Sequence, residues 1–279
     1  MSTENALLTI LTEKINNDTL VLPTLPAIAL KVRKAADDPE TNLNKMGEVI
    51  GQDPALTARI MKIANSAYLG RSVKVDTLQQ AVTRIGLRQI KNIATALAME
   101  QLFVSKNDVV KSYLDKLWSR TVDIAANAMA VYAFYKENPK KNKLLNMDSL
   151  TLAALVHNIG VLPILSEAER HEEVFANPTF LNVAIQKLSS RLGSAILNEW
   201  GFSEEIIEVV EHWRNIKYQT KEHSYLDFVR LGAALAGSIG SHKDDVLNII
   251  QQKGIVQDLS ALSSDEFAEI RDNAKSVFS

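Results

Sequence analysis

Residues 150–165 read Leu-Thr-Leu-Ala-Ala-Leu-Val-His-Asn-Ile-Gly-Val-Leu-Pro-Ile-Leu, a run that is apolar on every side of a helical wheel. A helix with no polar face has to be surrounded by other elements, so the chain must build its core around this stretch. The one strongly polar pair inside it, His157-Asn158, needs partners within the fold. Asp148 is placed to cap the helix start, Gly160 to end it, and Pro163 to keep that helix from running on. A polar dipeptide held there suits a metal or catalytic site. It also suits a structural hydrogen-bonded pair, which the residues alone favour.

With 279 residues, 46% of them hydrophobic, the chain can bury a full core as one large helical domain or two smaller ones. Its 31 basic and 33 acidic residues give a net charge of -2, with no long run of either sign. That leaves no electrostatic footprint for nucleic acid or an anionic membrane. The absence of cysteine removes disulfides, thiolate zinc sites and a cysteine nucleophile together, and suits a reducing cytoplasm. The first residues, Met-Ser-Thr-Glu-Asn-Ala-Leu-Leu, carry no basic segment ahead of an apolar one, unlike a signal peptide. No uncharged apolar stretch reaches the roughly 20 residues of a membrane span. The expected location is the cytoplasm.

Helical spacing of apolar residues recurs along the chain. Leu7, Leu8, Ile10, Leu11 and Ile15 define a first helix, and Pro23 and Pro26 then force an extended entry to a second over 27–37. Others begin near Asn42 and at Asp53-Pro54, where Asp53 is the N-cap and Pro54 takes the first helical position. Asp76 and Gln79 are spaced as a capping box, and further helices are expected over 87–103 and 114–135. The polar stretch 137–143 reads as a solvated turn rather than a domain boundary. Past the apolar run, helices are expected over 168–175, 180–200, 204–213 behind Ser203, 225–239, 244–252, and from Ser263 or Ser264 onward. No strand-like alternation and no internal repeat interrupt them, so the class is all-α, an irregular multi-helix array.

Four separated patterns in the first half resemble the HDOD domain, the HD-related output domain of bacterial signalling proteins. They are Leu22-Pro23-Thr24-Leu25-Pro26, residues 50–56 (Ile-Gly-Gln-Asp-Pro-Ala-Leu), residues 63–68 (Ile-Ala-Asn-Ser-Ala-Tyr), and residues 78–87 (Leu-Gln-Gln-Ala-Val-Thr-Arg-Ile-Gly-Leu). Leu117-Trp118, residues 154–160, Trp200-Gly201-Phe202 and Glu211-His212-Trp213 continue the resemblance, which spans about 15–250 of a single domain, with 251–279 as a C-terminal helical extension. The resemblance implies an HD-domain-like fold related to metal-dependent phosphohydrolases. Their metal is held by a histidine on one helix, a His-Asp pair on another and a later aspartate. Carried onto this chain, the first histidine falls near Arg120, the pair is His157-Asn158, and the late aspartate falls near Ala233. The ligand set that the resemblance calls for is therefore largely missing.

A neutral amide cannot offset a dication's charge as a carboxylate does, and an arginine repels it. Arg120 is instead suited to a small anion such as phosphate or a carboxylate, or to an ion pair with Asp123. His212, four residues after Glu208, shares a helix face with it as metal ligands can, although a structural histidine beside Trp213 is favoured. His171, His223 and His242 sit in polar surroundings and are expected to be exposed, and Asn65-Ser66 fits a helix-end cap. Ser66 has no activating histidine at a recognisable spacing. The expectation is a non-enzymatic signalling module with no catalytic residue, no metal and no cofactor. Its ligand-binding candidates are Arg120, His157, Asn158 and His212, and its partner is a signalling protein or a small anionic ligand. The alternative is a metal-dependent phosphohydrolase acting on a phosphodiester or nucleotide through His157, His212 and Glu208 or Glu211.

Overall fold

The computed structural model describes residues 6–66, 73–171 and 178–278, and among them every regular element is helical. The first half holds α1 (Ala6–Asn16), α2 (Ala27–Asp37), α3 (Leu43–Ile50), α4 (Pro54–Ala64), α5 (Leu78–Ile85) and α6 (Leu87–Ala98). Then follow α7 (Asp108–Tyr135), α8 (Met147–Val156), α9 (Val161–Ala168), α10 (Pro178–Glu199), α11 (Glu204–His212), α12 (Tyr225–Leu235), α13 (Lys243–Gln252) and α14 (Asp265–Ser276). The long α7 packs against α8, α12 and α14, and α8 packs in turn against α6, α11 and α12. Buried apolar residues from Leu7 to Phe278 join one hydrophobic cluster. Burial of this kind supplies the main driving force for such an array.

Local chemistry explains most boundaries. Asp53 caps α4 by accepting from Leu56 N at 2.9 Å, with Pro54 behind it. Asn107 starts α7 six residues before the expected Leu114, accepting from Val109 N and Val110 N. The capping box is Thr77 with Gln80, one residue later than Asp76 with Gln79, because the threonine hydroxyl is the group that accepts from the third helical N–H. Ser203 stands at the N-cap of α11 without a side-chain bond to it. The expected 87–103 helix stops at Ala98 and continues as a 3-10 turn, Met99–Leu102. Of the expected 168–175 helix, Ala168 closes α9 and residues 169–171 are not helical, while 172–175 lie outside the described residues.

The apolar run 150–165 is two helices rather than one. α8 ends at Val156, residues 157–160 form a turn, and Gly160 begins α9 instead of ending α8. Pro163 lies in the first turn of α9, where its missing N–H leaves nothing unpaired. Asp148 caps nothing: Asn146 is the cap of α8, and the buried Asp148 carboxylate accepts from Asn92 Nδ2 at 2.8 Å. By length and composition Met147–Ala168 is apolar enough to cross a membrane, although its uncharged stretch, residues 149–166, stops short of roughly 20 residues and the turn at 157–160 divides it. Its most apolar window is 89% buried by the surrounding helices, which is the setting of a core element.

Two polar contacts tie distant parts together. Arg33 of α2 donates to Gly201 O at 3.0 Å and lies 4.4 Å from the Phe202 ring centroid. Asn65 brackets Val75, its Nδ2 donating to Val75 O at 2.9 Å and its Oδ1 accepting from Val75 N at 2.8 Å. Ser66 Oγ donates to Ile63 O. Both side chains of the Asn65-Ser66 pair thus serve local structure.

Candidate ligand-binding site

The turn at 157–160, the middle of α7, α10 and the loop after α11 enclose a cavity of about 300 Å³. His157 sits behind it, 1% exposed, because the turn follows the all-apolar α8 into the core. Its Nδ1 lies 2.5 Å from Ala154 O, and a carbonyl only accepts, so Nδ1 carries the proton and the buried Nε2 is left without a partner. The Trp213 ring packs edge-on against the imidazole, with centroids 4.7 Å apart and an interplanar angle of 87°. Burial pulls the His157 pKa down from 6.5 to about 4, the Ala154 carbonyl opposes that shift and the Arg214 charge adds to it.

Asn158 is buried beside it, and its Oδ1 accepts a hydrogen bond from Arg214 Nη2 at 2.9 Å. The Arg214 guanidinium also lies 4.2 Å from the Trp213 ring centroid. Its buried Nε has no hydrogen-bond partner, and desolvation lowers its pKa to about 10, which leaves it charged at neutral pH. The loop carrying Trp213 and Arg214 is held by Arg230 of α12, which is 3% exposed. That guanidinium donates to Tyr218 O at 2.7 Å, His212 O at 2.8 Å and Asn215 O at 2.5 Å. Burial lowers its pKa, with Asp227 and then Glu208 opposing.

Of the four residues singled out from sequence, Arg120 and Asn158 line the same cavity, and His157 packs against Trp213 on its wall. His212 does not join them. Its ring stacks on Tyr218 at 3.7 Å, and the Tyr218 hydroxyl donates to Glu208 Oε1, so the His212–Glu208 face that would allow shared ligation is closed by a tyrosine. Asp123 pairs with Lys275 of α14 at 2.5 Å rather than with Arg120. Ala233 is fully buried in α12. His223 is not exposed as expected: it bridges Tyr135 OH and Lys253 O at 2.7 and 2.9 Å.

Sequence reasoning missed Lys116, Arg214, Asn182 and Gln186, all on the cavity wall. Lys116 stands one helical turn before Arg120, Gln186 one turn after Asn182, and Arg214 directly follows the Glu211-His212-Trp213 motif. Those spacings were the available signal. No aspartate or glutamate lines the cavity, and among the described residues no group of three histidines or carboxylates is placed to hold a metal ion. The unpaired Nε2 of His157 is one donor, but the place of its carboxylate neighbour is taken by an amide already bound to a guanidinium. This donor set does not fit a divalent metal.

The neutral, buried His157 makes stability depend on pH. In the unfolded chain the ring takes up a proton near 6.5 and in the folded chain only near 4, so the unfolded state binds more protons between those values. Stability from this residue is therefore full above about pH 6.5 and is lost as the pH falls through 4, a total of about 3 kcal/mol. Urea unfolding of wild type and His157→Gln at pH 7 and pH 4.5 checks this: the variant should show the flatter dependence.

The HDOD domain family matches residues 22–216. The chain superimposes over its whole length on the whole of the crystal structure of a "Putative metal-dependent phosphohydrolase" from Shewanella amazonensis SB2B, with a TM-score of 0.93 and 41% identity. The crystal structure of an HDOD domain protein with unknown function from Geobacter sulfurreducens shares the fold, with a TM-score of 0.61 and 18% identity over 98% of this chain and 99% of that one. An uncharacterized protein of Treponema pallidum (strain Nichols) is 24% identical over 74% of this chain, which spans 40% of that relative's length. With most of its length matched by the family and its fold shared with another HDOD protein, this chain belongs to the HDOD domain family.

Proposed function

We propose that the protein is a non-catalytic regulatory module of bacterial signal transduction, working in the cytoplasm by binding a small anionic ligand or a signalling protein. One observation carries this reading: the Arg214 guanidinium is bonded to Asn158, where the resemblance to HD phosphohydrolases calls for a metal-binding carboxylate, and no acid lines the cavity. A site with three cationic side chains and no anionic one repels a dication and attracts an anion. The C-terminal helices α13 and α14 belong to the same working unit on this reading, since Val246, Ile250, Phe267 and Ala274 join the common hydrophobic cluster.

The competing reading is a metal-dependent phosphohydrolase, and its support is what the 41% identical Shewanella protein is called. Its requirement is a donor set that this cavity lacks. Assays with bis(p-nitrophenyl) phosphate and p-nitrophenyl phosphate, with Mn²⁺ added, separate the two. Wild type and His157→Gln should both give no hydrolysis above the metal-only control. Hydrolysis by wild type that vanishes in a folded His157→Gln would overturn the proposal.

A further inference from the structure

The cavity holds more positive charge than the fold uses. Lys116, Arg120 and Arg214 line it, and among the described residues none of them has a carboxylate partner. Lys116 and Arg120 stand one turn apart on α7, a like-charge spacing that weakens a helix when nothing lies between the two groups. Arg214 is partly buried with only the Asn158 amide oxygen as acceptor, and its inner Nε has none. A guanidinium drawn out of water in this way is costly unless something neutralises it. A monocarboxylate would leave two of the three cations uncompensated. A phosphoryl group, with close to two negative charges and three acceptor oxygens, matches them better.

The rest of the wall says what carries the phosphoryl group. Ile124, Val161 and Ile185 give it an apolar side, and Asn182 and Gln186 add amides one turn apart on α10. At about 300 Å³ the cavity lies at the small end of the roughly 300–1,000 Å³ usual for small-molecule sites. That leaves room for one ring system and one phosphoryl group. We propose that this cavity binds a small organic monophosphate with a single-ring or fused-ring body, its phosphoryl group held between Lys116, Arg120 and Arg214. The inference deepens the regulatory reading above and rests on it for the ligand leaving the site uncleaved.

Calorimetric titration of the full chain at low ionic strength tests it, with phenyl phosphate, adenosine 5'-monophosphate and guanosine 5'-monophosphate as probes and phenol and adenosine as phosphate-free controls. At least one phosphate probe should bind with one-to-one stoichiometry, the controls should not, and added salt should weaken binding. Arg120→Ala should raise the Kd about tenfold, the loss of one charge-assisted contact, and Lys116→Ala should raise it less. Both side chains are exposed, so circular dichroism should be unchanged in either variant. Failure of all three probes at millimolar concentration, or binding indifferent to the Lys116→Ala/Arg120→Ala double variant, overturns the inference and leaves the regulatory reading intact. Phosphorus NMR of the same samples separates the other case. Inorganic phosphate released by wild type but not by His157→Gln overturns the non-catalytic reading while the bound phosphate supports the site.

Discussion

Arg230→Met lowers the free energy of unfolding by about 3–4 kcal/mol, which for a chain of this size is a fall in Tm of about 5–7 °C. The buried guanidinium bonds three backbone carbonyls, Tyr218, His212 and Asn215, of which His212 O and Asn215 O also accept turn bonds from Asn215 N and Tyr218 N. Hydrogen bonds to a charged donor are worth about 1.5–3 kcal/mol each, and part of that is returned because methionine needs no desolvation of charge. The effect reaches the cavity. Trp213 and Arg214 belong to the same loop, so the variant should also change Trp213 fluorescence and weaken any ligand held by Arg214. Arg230→Lys keeps the charge but not the planar fork, and should recover only part of the loss. Thermal unfolding followed by circular dichroism measures all three proteins. A loss below about 1 kcal/mol for methionine would mean that the loop is held by other contacts.

Gly160→Ala costs about 3 kcal/mol or more, through the opposite mechanism of too much matter rather than too few bonds. A Cβ at this position would lie 1.9 Å from Ser189 O and 2.5 Å from Gly193 N. Both are backbone atoms of α10, which cannot swing aside as a side chain does, so α9 and α10 must separate. The displaced segment carries Asn158 two residues earlier and Asn182 and Gln186 across the cavity. Urea denaturation should show a lower midpoint with little change in slope, since the same surface is exposed on unfolding. A midpoint equal to that of wild type would contradict the close approach of the two backbones.

What could be read in advance follows physical range. Helix starts such as Asp53-Pro54 depend on bonds spanning three residues, and the structure places that one as expected. From sequence Asp76 is read as the cap in place of Thr77, because both residue types cap well and only the geometry selects the hydroxyl. The burial of 150–165 was legible because a helix without a polar face has no other place to lie. A break near Gly160 was legible too, but not that the first helix ends at Val156 and a second starts at Gly160, since the apolar pattern continues through the turn. The pairing of Asn158 with Arg214 spans 56 positions, and no local pattern reports a partner at that distance. For His212 the spacing from Glu208 allowed shared ligation beside the favoured structural role, and Tyr218, which arrives from beyond the helix and occupies both, lies outside any local pattern. Asp148 illustrates the same limit, drawn as a cap by its position yet bonded to Asn92 of α6.

The most direct test of the account is the metal content of the protein, purified without chelator or polyhistidine tag and then dialysed against Mn²⁺, Zn²⁺ or Fe²⁺. With Asn158 bound to Arg214 and no carboxylate on the cavity wall, elemental analysis should find far less than one equivalent of any of them. One equivalent of tightly held metal that disappears in folded His157→Gln would contradict it, and would place the cavity among metal-dependent hydrolytic sites.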